Sequence, residues 1–281
     1  MTTVGTVYEQ LANANPKHGR LTYVSATQLA FKPFRGDILK LNKLMRTIPT
    51  AGIAGLANTG AFVNGVAAQS LAASTTYFVH AFDSAGVLTA DFRTGANHIP
   101  SATAGNVGIE VYSADGTTPD DTRSLIGMVR TANTTPGQFV DALNSRSVIS
   151  WFNRRDLPLC GDYTNLQLSW NNWAEVSSAA RIYFCNWGDE GVHLSVCGQG
   201  QNSGSTYLRP SLGIDTFGGI GPGVPLDQLY LDRFGTNAYM SSGNVFAFSL
   251  SEGWHTASPI AYCNTGGIGY CYQFASGITR G

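Results

Sequence analysis

The sequence predicts an all-β chain: two sandwich-like or jelly-roll-like domains behind a short N-terminal arm, with very little helix. Three observations predict it. Short runs rich in Val, Ile, Thr, Tyr and Phe recur along the chain, and Gly, Pro, Asn and Asp interrupt them every ~8–12 positions. Helical spacing of apolar residues is nearly missing. The 281 residues, 43% of them apolar, suffice for two ordinary β domains with buried cores.

Taken in order, residues 1–20 read as an attachment arm. Within it "TVYEQLANAN" places Val7, Leu11 and Ala14 on one face of a helix of one or two turns. The first domain, 21–140, has expected strands at Leu21–Val24, Gln28–Phe31, Asp37–Leu41, Tyr77–Phe82, Val87–Phe92, Val107–Tyr112 and Leu125–Thr131. The Gly/Ala-rich stretch from Thr50 to Gln69 reads as irregular or loosely stranded. "GQFVDALNSR" is a second short helix candidate at the joint near Pro136–Arg146. The second domain, 147–281, has expected strands at Ser147–Asn153, Asn165–Trp170, Ala180–Trp187, Val192–Cys197, Leu226–Leu231, Val245–Ser249, Ile260–Cys263 and Tyr270–Phe274. No short repeat is present, which argues against a solenoid or propeller.

The segment "LAASTTYFVHAFDSAGVLTADF" has bulky residues on both faces of one strand. Tyr77, Val79 and Ala81 point one way, and Phe78, His80 and Phe82 the other. "DSAG" reads as a four-residue turn into an antiparallel return. Leu71, Thr75, Tyr77 and Val79 follow the L-x-x-x-T-x-Y-x-V spacing of a tyrosine corner, in which the hydroxyl bonds backbone a few residues upstream. The second face then needs a cover, either a loop or a neighbouring subunit. His80, between two Phe, reads as a partly buried, hydrogen-bonded residue rather than a catalyst.

Charged residues make up 12% of the chain and the formal net charge is −1. Lys and Arg are scattered, so the electrostatic footprint of a nucleic-acid binder is missing. No stretch approaches the ~18 apolar residues of a membrane span. "MTTVGTVYEQ" has neither the basic start nor the apolar run of a signal peptide, so a protein that ends up outside a cell is expected to leave by lysis or inside an assembled particle.

The chemistry-bearing residue types form no catalytic or metal set. There is no G-x-S-x-G elbow. His18, His80, His98, His193 and His255 lack H-E-x-x-H spacing, and His193 and Cys197 stand too far apart along a strand to share a metal. "DGTTPDD" offers Asp115, Asp120 and Asp121 to Ca²⁺ but lacks the EF-hand order, and reads better as a hairpin loop. "GGIGPG", residues 218–223, has no Lys-Ser/Thr partner for a phosphate. Glycoside cleavage needs two facing carboxylates. Asp162, Glu175, Asp189, Glu190, Asp215, Asp227, Asp232 and Glu252 are candidates, mostly at turns, with no pair marked out. No cofactor is expected.

Aromatic residues give the more useful signal. Trp170, Asn171, Asn172 and Trp173 form "WNNW"; indole faces beside amides suit a sugar, the ring stacking on its apolar face and the amides bonding its hydroxyls. The competing reading puts one or both Trp in the core. Cys160, Cys185, Cys197, Cys263 and Cys271 all fall in the second half and fit no common zinc spacing. Buried thiols are one reading. The other is disulfides: Cys263 and Cys271 flank the turn "NTGGIGY"; Cys185 and Cys197 flank an expected hairpin whose symmetric turn points them to opposite faces, unless the register shifts by one; and an odd count leaves at least one thiol for a neighbouring subunit or free.

"RLTYVSATQLAFKPFRGDILKLN", "LAASTTYFVHAF", "TAGNVGIEVYSADGTTPDDTRSLIGMVRT", "SWFNRR" and "LSEGWH" together resemble a family of β-rich structural proteins of tailed bacteriophages and prophages, over nearly the whole chain from about Arg20. The resemblance implies sandwich modules, no cofactor and no catalytic set. Where the family's C-terminal motif usually carries Tyr this chain has Trp254, which removes the hydroxyl of a corner there; it is also richer in Cys. The expectation is a non-enzymatic virion protein, assembled in the host cytoplasm. It would be a fibre or appendage subunit of tail, neck or head, a homotrimer contacting other virion proteins and a host surface glycan, with neither nucleic acid nor membrane as partner. The alternatives are a capsid decoration or collar protein with a mechanical role and, from another class, a polysaccharide depolymerase.

Overall fold

Alternation along the strands and tight two-residue turns between them build the local structure. The computed structural model describes residues 15–281 except 96, 156–158, 162–165, 169–172, 203–207, 216–217, 221–242, 248–249, 264–268, 276–278 and 281. For 166–168, 173, 193–202, 208–212, 218–220, 243–247, 261–263, 269–275 and 279–280 it describes the backbone alone. The described residues are nearly all β, contain no α-helix, and divide into two units. The first arm helix candidate lies almost wholly outside the described residues.

In the first unit the strands run β1 (Arg20–Ser25), β2 (Gln28–Lys32), β3 (Ile38–Leu41), β4 (Leu44–Thr47), β5 (Ala61–Val63), β6 (Val66–Gln69) and β7 (Thr76–Ser84). They continue as β8 (Val87–Arg93), β9 (His98–Pro100), β10 (Glu110–Tyr112) and β11 (Asp120–Arg130). β14 (Val148–Ser150) completes the first unit, after β12 (Asp141–Ala142) and β13 (Ser145–Arg146), which join a sheet of the second unit. A mixed eight-stranded sheet takes the order β6-β5-β8-β7-β11-β10-β9, with β14 also on β11. The pair β5–β8 is parallel and the others antiparallel. β1–β2 and β3–β4 are separate hairpins. Their Leu21, Leu29, Phe31, Leu39 and Leu41 form one core with Tyr77, Val79, Ala81, Phe92 and Val129 of the sheet.

Three hairpin turns explain several expectations that need correction. Ser84 pairs with Val87, so the turn is Ala85–Gly86 alone, at φ 51° and 89°, and not all four residues of "DSAG". Positive φ at both central positions matches the right-handed twist of the flanking strands. Asn42–Lys43 and Asn64–Gly65 do the same. The latter makes a hairpin inside the Gly/Ala-rich stretch. The "GQFVDALNSR" helix is also replaced by strand: Phe139 bridges Thr131, and β12–β13 turn through Leu143–Asn144. Its period was too short to separate helix from strand.

The joint differs from a single boundary at 140–147. Ala142–Arg146 belongs to the second unit, Ser147–Arg154 returns to the first, and the chain re-enters the second at Arg155. β14 pairs with β11, whereas β13 lies parallel to β17 (Ile182–Asn186).

The second unit also holds β15 (Leu166–Leu168), β16 (Trp173–Glu175), β18 (Val192–Asn202), β19 (Leu208–Ile214) and β20 (Gly218–Ile220). β21 (Gly243–Ala247), β22 (Gly253–Cys263), β23 (Gly269–Ala275) and β24 (Thr279–Arg280) complete it. One sheet runs β12-β13-β17-β22-β16-β20, with β19 on β22; the other runs β15-β23-β18-β21, with β24 on β18. β17 and β18 therefore lie in different sheets, not in the hairpin expected around "NWGDEGVHLSV". The strand expected at Leu226–Leu231 lies outside the described residues.

Leu71 and Tyr77 are both buried, and the Ala72 N–H donates to the Tyr77 hydroxyl at 2.9 Å. Thr131 secures the same loop, its hydroxyl donating to Ala72 O at 2.7 Å and accepting from Thr75 N at 2.9 Å. Tyr77→Phe is expected to lower unfolding free energy by about 0.5–1.5 kcal/mol, because the Ala72 amide is exposed enough to turn to water. Urea titration measures it, and an unchanged midpoint would mean the hydroxyl bond adds nothing.

Candidate functional site

Strand parity makes the site. His80 stands opposite Asp91 and Phe78 opposite Arg93, so all four share the second face of the eight-stranded sheet. β11 adds Leu125 opposite His80 and Met128 opposite Phe78. Phe78 and His80 on this face are buried within the chain itself. Tyr112 meets His80 edge-on with centroids 5.6 Å apart, and His98 lies 5.7 Å from Phe78 and 5.5 Å from Trp151. His98 is held by Glu110 at 2.8 Å.

At its centre is Asp91, 0% exposed. Its Oδ1 accepts from Gly65 N at 3.0 Å, and its Oδ2 from Arg93 Nε at 2.7 Å and Arg123 Nε at 2.9 Å. Arg123 also donates from Nη1 to Asp120 Oδ2 at 2.9 Å. The guanidiniums lie over aromatic rings, Arg93 4.3 Å from the Tyr112 centroid and Arg123 5.3 Å from that of Phe82. Burial opposes the Arg123 charge, but Asp91 and Asp120 outweigh it and raise its pKa. Three donors on one carboxylate make Asp91 a cross-strand pin between β5–β6, β8 and β11.

His80 is also 0% exposed, and neither ring nitrogen has a hydrogen-bond partner. The ring is fully rather than partly buried, and the expected hydrogen bond is corrected: Asp91 opposite spends its oxygens on the Gly65 amide and the two arginines. Burial pushes the ring's pKa down to about 3, and nearby His98, Arg93 and Arg123 push the same way. The Phe78 carbonyl offsets part of this without hydrogen-bond geometry. A ring so placed is neutral at ordinary pH.

Beside this cluster opens a pocket of about 450 Å³, lined by Leu41, Leu44, Arg46, Phe82, Thr122 and Arg123 among others. Arg46 there pairs with Asp83 and also donates to Gly86 O at 3.3 Å. Leu44 is exposed. The pocket presents apolar side chains and cations that already have carboxylate partners.

The other candidate residues are placed as follows. Trp170, Asn171 and Asn172 lie outside the described residues; Trp173 opens β16, opposite Tyr262, with its side chain undescribed. Trp254, on β22, stacks on Tyr183 at 5.8 Å and 9°. Neither Cys160, which is half-buried, nor Cys185, which is buried, is in a disulfide. Cys197, Cys263 and Cys271 are described by backbone alone, and β22 and β23, which carry Cys263 and Cys271, belong to different sheets. Of the candidate acids, Asp162, Asp227 and Asp232 lie outside the described residues. Glu175 bonds Arg181 twice, at 2.6 and 2.7 Å, Glu190 accepts from Trp187 N, and Glu252 from Gly188 N. Asp215 bonds His255 at 2.7 Å and Thr256 N at 2.8 Å. Asp115 closes its own loop, accepting from Ser113, Thr117 and Thr118, with its pKa lowered chiefly by the Thr118 amide. Asp120 and Asp121 turn to Thr122 and Asn106 instead. Among the described residues no three His, Cys, Asp or Glu gather as a metal site.

Sequence reasoning missed Asp91, Arg93 and Arg123. The available signal was parity: Asp91 and Arg93 are two apart on the face that also carries His80. No protein-family model matches this chain, and no curated protein matches it.

Two outcomes follow from this geometry. Asp91→Asn keeps the size but removes the carboxylate charge that faces Arg93 and Arg123, leaving Arg123 with Asp120, and is expected to cost about 3–5 kcal/mol in a denaturant titration; a loss within error of zero would show that Asp91 is not the pin. For His80, the folded pKa lies below the ordinary value of 6.5, so the unfolded chain binds the extra proton. Its contribution is intact above that value and is lost as pH falls from 6.5 towards 3. His80→Phe should therefore flatten the acid limb of the stability–pH curve by up to about 1.4 kcal/mol per pH unit; superimposable slopes would exclude the effect.

Proposed function

We propose that this chain is a non-enzymatic structural protein of a tailed-bacteriophage virion, a fibre or appendage subunit whose two units are sandwich-like or jelly-roll-like modules. The observation that supports it most is how the few charged side chains are spent. Asp91 pins three parts of one sheet, Glu175 holds Arg181, and Asp215 ties the end of β19 to β22 through His255 and the Thr256 amide. Each of these bonds fastens strands to one another, as a load-carrying framework requires. The sequence resemblance to phage structural proteins supports the same reading, and so does a chain in which only 12% of residues are charged. On this reading the second unit faces outward, and "WNNW" supplies the stacking surface for a host glycan.

Particles purified from a lysate of the host that carries the gene test it. Mass spectrometry is expected to find the chain in intact particles, and immunogold labelling to place it on their outer surface. A chain recovered only from the soluble fraction, with none on particles, overturns the proposal. Labelling confined to capsid faces would favour the decoration role over a fibre.

A further inference from the structure

Cations far apart in the sequence converge at one end of the first unit. The pivot is Asn153, at φ 52°, whose Nδ2 donates to the carbonyls of Lys17 and Gly19, both at 2.9 Å, and of Phe34 at 3.4 Å. Arg20 Nε donates back to Asn153 O at 3.2 Å. The Arg20 guanidinium lies 3.5 Å from the Phe34 centroid, with that of Arg35 5.8 Å from the same ring. Arg154 lies 4.3 Å from the Trp151 centroid and bonds the Trp151 carbonyl. His18 joins the group by accepting from Ile38 N, and Asp37 is the neighbouring acid. Lys17 and Arg35 are exposed. Four Lys and Arg around one asparagine is a dense patch for a chain with 17 in all.

The chemistry selects a partner. Phe34 and Trp151 already carry guanidiniums, so bases or sugars lack a free ring to stack on. Guanidinium edges suit the planar oxygens of carboxylates. The chain itself supplies these. The first unit has 11 Lys and Arg against nine Asp and Glu, and the second has six against nine. In the second unit, acids gather where β17 ends and β22 begins. Glu252 reaches Gly188 N, Asp189 is exposed in that turn, and His255 bonds both Asp215 and Ser251 O. The Asp215 side chain is 48% exposed.

We propose that the basic end of the first unit binds the acidic end of the second unit of another copy, so that the chain self-associates head to tail. Such a contact closes into a ring, such as a trimer, if the rotation between copies allows, and otherwise extends as a filament. It is read on purified protein and stands whether or not the chain is a virion component.

Sedimentation velocity of the full chain tests it, with salt raised from about 0.01 M to about 1 M to shorten the screening length from about 30 Å to about 3 Å. Wild-type chain is expected to associate at low salt and to weaken by roughly tenfold or more across that range. Lys17→Glu with Arg35→Glu should stay monomeric, as should Asp189→Lys with Glu252→Lys, while a mixture of the two restores association. That mixture also shows that both variants are folded. A monomer at every salt concentration, association indifferent to the reversals, or a mixture that stays monomeric each overturns the proposal. So does wild-type chain that binds heparin or DNA but never itself.

Discussion

The constraint on which the first unit depends is that β7 is buried on both faces. Tyr77, Val79 and Ala81 enter the core, and Phe78 and His80 are sealed on the other side. A strand without a solvent face needs two covers. The hairpins β1–β2 and β3–β4 supply apolar residues to the first. The second is mixed, because the positions opposite Phe78 and His80 are Arg93 and Asp91. A buried carboxylate is costly unless its oxygens meet donors, so Asp91 draws in Arg93, Arg123 and the Gly65 amide. The guanidiniums then lie on Tyr112 and Phe82, which ties β10 and the rim of β7 into the cover.

Two histidines show how far environment outweighs residue type. His80 sits in a cover whose carboxylate is already engaged, and its nitrogens meet no partner. His255 lies at the start of β22 with one nitrogen against Asp215 and the other against Ser251 O, both at 2.7 Å. One ring is packed as an aromatic surface; the other is a polar tie between two loop ends.

Strand content was legible wherever large side chains alternate. The reading at Gln28–Phe31 meets β2 at Gln28–Lys32, and that at Val87–Phe92 meets β8 at Val87–Arg93. Strands built from small or unusual residues were not. β5–β6 contain mostly Ala and Val, yet Asn64–Gly65 between them is a strong hairpin signal. β19 carries Pro210, which suits a strand whose described pairing is to β22 alone. The joint was hardest, since short strands at Asp141–Ala142 and Ser145–Arg146 have no period that distinguishes them from a helical turn.

By itself the sequence determined the β character, the direction of each side chain along β7 and the bond-forming position of Tyr77, because these follow from local alternation and short spacing. Tertiary structure decided which strands became neighbours, and with them the ionic contacts between distant parts of the chain. Asp91 meets Arg123 across 32 positions, and Asn153 gathers Lys17, Gly19 and Phe34 across more than a hundred. Charges that look scattered along the chain form a pin in one place and a basic patch in another. Coulomb and hydrogen-bond energies depend on separation in space, which only the pairing of strands sets.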